Sequence, residues 1–197
     1  KTAGNALVYF NDGIPAYITR RFDVKPDGTK YLQEDMAQLS GRSKHTARRG
    51  EDFKYDGTYE EIGALIKQHV AAYPPALEQL FKLVLFNYIF SNGDAHLKNF
   101  SLIETVMGDY ALSPAYDLMC TLLHIPNEND MALDLYQGCY DSKFYGSYGF
   151  FGQHAFRTFA DKLGIQTIRV QRLLTQMLSS RTEVIARIEN SFLPDEQ

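Results

Sequence analysis

The chain has 197 residues, the length of one large domain or of one domain with an appended piece. Its apolar content of 45% is ample for a core, and 13 Phe and 13 Tyr with no Trp make that core aromatic-rich. A net charge of −4 excludes a surface that is wholly a nucleic-acid footprint, and two cysteines exclude a disulfide framework.

In chain order, residues 6–10 and 14–22 flank Asn11-Asp12-Gly13, a strong hairpin signal, and Pro26-Asp27-Gly28 marks a second turn. The start KTAGN reads as unstructured. From Gln33 onward the chain reads as helical. Residues 42–49 (RSKHTARR) hold three Arg, one Lys and one His. They read first as a solvated loop, and otherwise as a substrate, phosphate or partner contact. Thr58 and Glu61 fit a capping box, with Ile62, Leu65 and Ile66 as the apolar face behind it. After Pro74-Pro75, the helical spacing of Leu77, Leu80, Phe81, Val84, Leu85 and Tyr88 predicts a helix through the core. The apolar run 83–90 is interrupted by Asn87 and falls far short of the ~20 residues a spanning helix needs. That helix delivers the chain to Asn92-Gly93 and is a rigid mount for Asp94.

Residues 91–101 read SNGDAHLKNFS, and Asp117 comes after them in PAYDLM. Residues 100–104 and 110–112 predict two short strands, with 106–109 (VMGD) as the turn between them. That hairpin returns Asp117 beside Asn99. Asp94, on a tight loop entered by Gly93, then faces a cleft where its carboxylate can accept a hydrogen bond from an attacking hydroxyl. Asn99 and Asp117 offer the hard oxygens that magnesium shares with nucleotide phosphates. An isolated Asp-x4-Asn is more often a turn or cap pair; the added His96, Lys98, hairpin and Asp117 carry the functional reading. His96 reads first as a brace for the loop through a backbone hydrogen bond. Lys98 reads equally as a phosphate contact and as a solvated lysine.

Past Asp117, residues 126–130 (PNEND) form a polar loop. Residues 134–151, with Tyr136, Tyr140, Tyr145 and Tyr148, read as an irregular segment packed on the core by its aromatics, and otherwise as a substrate-facing surface. Three amphipathic helices come next: around Phe156, Phe159 and Leu163, around Ile168, Leu173, Leu174 and Met177, and around Val184, Ile185 and Ile188. Gly164 ends the first. Cys120 and Cys139 read as reduced core thiols, and no second His/Cys pair joins Cys120 and His124 in a zinc site. No signal peptide opens the chain, and the composition fits a soluble, cytoplasmic domain.

Four segments, in order, resemble the HipA-like serine/threonine protein kinases, the toxins of bacterial toxin–antitoxin pairs. Residues 19–23 (TRRFD) resemble that family's hinge between lobes, and 32–39 (LQEDMAQL) its QEDM-type segment. Residues 93–101 (GDAHLKNFS) resemble its catalytic loop, and 113–118 (SPAYDL) its metal-binding segment. The resemblance implies an α+β, mostly α-helical fold: a protein-kinase-like large lobe at 33–197, preceded at 1–32 by a remnant β-hairpin of the small lobe and the hinge. It implies Asp94 as the catalytic aspartate, ATP and Mg2+ as cofactors, and Asn99 and Asp117 as magnesium ligands. Arg20, Arg21, Phe22, His96, Leu97, Lys98, Asn99, Tyr116 and Asp117 would border the nucleotide, with Arg20 and Phe22 acting mainly through backbone groups. The implied partners are a protein substrate, such as a translation factor or an aminoacyl-tRNA synthetase, and an antitoxin or complementary N-terminal lobe. From the net charge and the lack of a long apolar run, direct binding of nucleic acid or membrane by this chain is not expected.

The sequence departs from that pattern at its front. Lys1 is the one lysine before Phe22, and no Gly-rich phosphate loop precedes the hinge. The expectation is a fragment, or a split kinase whose front half is another polypeptide, with weak or absent turnover alone. Two alternatives remain open: a non-catalytic docking half or pseudokinase, and a small-molecule phosphotransferase resembling the aminoglycoside kinases, against which the TRRFD and QEDM segments stand.

Overall fold

A computed structural model describes residues 1–192; positions 193–197 of the expected 33–197 region lie outside it. The fold is α+β. Strands β1 (Asn5–Tyr9) and β2 (Pro15–Thr19) form an antiparallel hairpin, closed at Gly13 with φ +82°. Ahead of it the chain is ordered, contrary to the reading of KTAGN. Ala115 donates its N–H to the Lys1 carbonyl (2.9 Å), Ala3 donates to Ala115 (3.3 Å), and Ala3 is buried.

Gln33 does not open a helix. Residues Gln33–Asp35 are strand β3, and the four-residue α1 (Met36–Leu39) comes after it, capped by Asp35. Strand β3 pairs antiparallel with β4 (Ser101–Glu104), which pairs with β5 (Tyr110–Leu112). The three polar residues of β3 carry no apolar alternation; they are a strand because β4 supplies the ladder from about 70 residues away.

Helix α2 (Tyr59–His69) begins at the expected capping box, where Thr58 accepts from the Glu61 N–H and Glu61 accepts from the Thr58 N–H, each at 3.1 Å. Helix α3 (Tyr73–Ile89) buries Leu77, Leu80, Phe81, Val84 and Leu85. Each such side chain contributes roughly 1.5–3 kcal/mol of burial. The short helix α4 (Lys143–Tyr148) replaces part of the expected irregular segment; Ser142 caps it and Gly149 ends it with φ +70°. The aromatic packing expected of that region is present: the Tyr140, Tyr145 and Phe151 rings meet at centroid distances of 4.7–4.9 Å.

Helices α5 (Gln153–Leu163), α6 (Thr167–Ser179) and α7 (Arg181–Glu189) form where three helices were expected, with Gly164 left-handed at the end of α5. Helices α5 and α6 bury apolar faces, but Ile168 is exposed and α7 buries no residue, its Ile185 and Ile188 being exposed. Phe81 and Phe159 stack at 6.1 Å between α3 and α5. Cys139 is buried, but Cys120 is only half-buried and is not a core thiol. Segment 42–49 is not simply solvated. Arg42 reaches Glu61 on α2 at 2.9 Å, and Arg48 reaches the buried Asp56 at 2.9 Å. No helix among the described residues is long and apolar enough to cross a membrane.

Candidate active site

Helix α3 ends where its buried polar residues begin. Asn87, the residue that interrupts the apolar run, accepts at Oδ1 from Asn92 Nδ2 (3.1 Å), and Asn92 also donates to the Asp117 carbonyl (3.3 Å). The loop after α3 is thereby tied to the return of the β4–β5 hairpin. Gly93 is required there for space: a Cβ would stand 2.5 Å from the Glu128 carboxyl carbon and 2.7 Å from the Asn129 carbonyl oxygen. Its N–H donates to Thr121 Oγ1 (2.8 Å), and that hydroxyl also contacts Glu128.

The hairpin does what its spacing predicts. Asn99 Nδ2 donates to Asp117 Oδ2 at 2.7 Å, while Asn99 Oδ1 accepts the His96 backbone N–H at 3.0 Å. Asp117 is exposed and left-handed, with φ +56°. An aspartate tolerates that conformation better than most residues, and the outlier marks a position held by its surroundings. Each carbonyl oxygen has two lone pairs, so Asn99 Oδ1 retains acceptor capacity. One amide and one carboxylate suit a magnesium ion that takes its remaining oxygens from phosphate and water. Among the described residues no cluster of three His, Cys, Asp or Glu would hold a metal by protein alone.

Asp94 lies on the same loop, partly exposed, with its Oδ1 surrounded by donors. Tyr55 Oη donates to it at 2.6 Å, and Lys54 Nζ and His96 Nε2 each lie 3.9 Å away. Lys54 and Tyr55 end the 3₁₀ turn Gly50–Tyr55 ahead of α2. Sequence reading missed both, because nothing in the spacing relates a residue at 55 to one at 94. His96 braces the loop through its backbone, its N–H donating to the Asp94 carbonyl (2.8 Å) and to Asn99 Oδ1 (3.0 Å). The Asn99 N–H goes to the His96 carbonyl (2.9 Å), and the buried Nδ1 makes no hydrogen bond. Burial, then the Lys54 charge, lowers the imidazole pKa from its ordinary value, so the ring is neutral near pH 7.

The other expected residues divide. Tyr116 Oη bonds Ser101 Oγ (2.6 Å) and the Lys98 carbonyl (2.8 Å), and burial pushes its phenol up to about 12. Its ring meets Phe22 at 5.8 Å, which links residues 19–23 to the loop. The Lys98 side chain is exposed. Leu97 is fully buried in the core, so its side chain stands outside the cleft. Arg20 donates its backbone N–H to Gly4 (2.7 Å), and Arg21 pairs with Asp23 on the surface. Neither arginine side chain has a contact with Asp94, Asn99 or Asp117.

The model of the HipA-like C-terminal domain family matches residues 1–185. A protein of Sinorhizobium fredii named "Putative kinase Y4dM" is 37% identical over 120 residues, covering 60% of this chain and 27% of its own length. A Haemophilus influenzae protein with the name "Putative kinase" is 25% identical over 188 residues, covering 91% of this chain and 54% of its own. The chain thus spans between about a quarter and about half of these relatives. Among solved structures, HipA of Shewanella oneidensis, determined with HipB and operator DNA, superposes with a TM-score of 0.71 at 20% identity, over 99% of this chain and 47% of that one. That likeness shows the fold, and the family match covers nearly the whole sequence. The chain belongs to the family of HipA-like C-terminal domains.

Proposed function

We propose that this chain is the large lobe of a HipA-like serine/threonine protein kinase, which transfers the γ-phosphoryl group of ATP to a protein hydroxyl. Residues 1–32 would be the small-lobe hairpin and hinge, and 33–197 the lobe that carries the chemistry. The observation that carries this reading is the Asn99–Asp117 pair at 2.7 Å, on the same loop and hairpin as the Asp94 carboxylate. Asp94 accepts the proton of the acceptor hydroxyl and orients it in line with the phosphorus. Asn99 Oδ1 and the Asp117 carboxylate would hold a magnesium ion, which supplies charge neutralisation at the phosphates. The exposed Lys98, next to Asn99 in the chain, would offer a positive charge to the phosphates, and the backbone around Phe22 would meet the base. By the same family likeness the natural partner is an antitoxin of the HipB kind, and the protein acts in the cytoplasm.

The test is phosphoryl transfer from radiolabelled Mg-ATP to dephosphorylated casein, by this chain with and without an added small lobe. Asp94→Asn is expected to lower the rate about 10²–10⁴-fold without unfolding the protein. An Asp94→Asn protein as active as the parent removes Asp94 from the chemistry.

A further inference from the structure

We propose that Tyr55 is a positioning residue for Asp94: its hydroxyl fixes Oδ1 so that Oδ2 faces the acceptor hydroxyl, and Lys54 supports the same geometry. This rests on the reading of Asp94 just given. A carboxylate on a loop rotates about its side-chain bonds, and a proton acceptor in phosphoryl transfer must present one oxygen in one direction. Here the two oxygens are not equivalent. Oδ1 takes a 2.6 Å hydrogen bond from Tyr55 and has two further nitrogens at 3.9 Å.

The Tyr55 hydroxyl is itself held. Its ring stands edge-on to His96 at 5.3 Å, and Lys54 Nζ lies over it at 4.8 Å from the centroid. Lys54 therefore touches both the ring and the carboxylate that the ring positions. Burial, then the hydrogen bond to Asp94, raises the phenol well above its ordinary value, so it remains a donor throughout the physiological range. The segment also has a fixed backbone: Asp56, the next residue, is anchored by two side-chain hydrogen bonds and one backbone hydrogen bond from Arg48.

The transfer is balanced in atoms and electrons. The acceptor oxygen bonds to the γ-phosphorus as the bond from that phosphorus to the bridging oxygen breaks. ADP leaves with the electron pair, and the acceptor proton passes to Asp94 Oδ2. Tyr55 keeps its proton throughout, which separates its role from that of an acid or base.

Tyr55→Phe removes one oxygen and keeps the ring against His96, so the fold is expected to survive. In the casein assay it should lower kcat about ten- to hundredfold, the scale of a hydrogen bond to a charged group. KM for Mg-ATP and calorimetric nucleotide affinity should stay at parental values, and the thermal midpoint should fall by no more than one part-buried hydrogen bond entails, roughly 2–4 °C. A hydroxyl that only secures the 3₁₀ turn would move the midpoint instead of kcat. Lys54→Arg should retain more activity than Lys54→Met. If Asp94→Asn is inactive and Tyr55→Phe matches the parent, the positioning role is overturned and the role of Asp94 stands. If Asp94→Asn matches the parent, or the parent transfers no phosphate even with a small lobe, the reading of Asp94 fails and this inference fails with it.

Discussion

Replacing Gly93 by alanine puts the link between packing and the site to a direct test. The added methyl would sit 2.5 Å from the Glu128 carboxyl carbon, 2.6 Å from its Oε2 and 2.7 Å from the Asn129 carbonyl oxygen. Contacts this short force movement, and the two neighbours differ in how easily they move. Glu128 is a side chain, but its carboxylate contacts the Thr121 hydroxyl. The Asn129 oxygen is backbone and yields only if the segment shifts. Overpacking of this kind costs about 1–3 kcal/mol. At about 2–4 °C per kcal/mol for a chain this size, the midpoint should fall by roughly 2–12 °C. Thermal unfolding followed by near-ultraviolet circular dichroism of the tyrosines would measure that fall, and urea unfolding the free energy behind it. Because the Gly93 N–H bond to Thr121 is in the path of the shift, Asp94 should be displaced and phosphoryl transfer should drop with stability. Glu128→Ala added to Gly93→Ala should recover only part of the loss, since the backbone oxygen remains. A Gly93→Ala protein within about 0.5 kcal/mol of the parent would refute the packing account of this loop.

Phe81→Ala, at a fully buried ring stacked on Phe159, should cost about 3–5 kcal/mol in urea unfolding; a loss below about 1 kcal/mol would show that the α3–α5 interface is not a packed core. Asp56 gives a pH dependence. Burial pushes its carboxyl up, but hydrogen bonds from Arg48 outweigh this and leave it below its ordinary value. A carboxyl depressed in the folded state contributes stability above the unfolded value of about 3.9, and that contribution is lost as pH falls through the lower folded value. Stability curves of parent and Asp56→Asn should therefore differ at pH 7 and converge toward pH 3; a constant gap would contradict the ion-pair assignment.

How much the sequence disclosed depended on the range of the interaction. Helix α3 was legible because its apolar residues recur at the helical period, and α2 because the Thr58–Glu61 box is a local exchange of two hydrogen bonds. The Asn99–Asp117 contact was legible because two short strands and a four-residue turn leave the chain no other return. Strand β3 was illegible: Gln33, Glu34 and Asp35 owe their conformation to β4, which lies far along the chain. The order of Lys1–Ala3 comes likewise from Ala115. Tyr55 and Lys54 were missed for the same reason. A hydroxyl that meets a carboxylate across 39 positions leaves no periodic trace. Helix α4 did carry a local signal, Ser142 ahead and Gly149 behind, but its run of aromatics has no clear helical face.

Assignment of Asn99 and Asp117 as a nucleotide–magnesium site on this lobe is decided by calorimetric titration of Mg-ATP. The titration is run into the chain alone and with an added small lobe, with Asp117→Asn in parallel. The expected result is magnesium-dependent binding by the parent that weakens at least tenfold in the variant while the fold is unchanged. Equal Mg-ATP affinity in parent and Asp117→Asn, or no binding even with the small lobe present, would contradict the assignment.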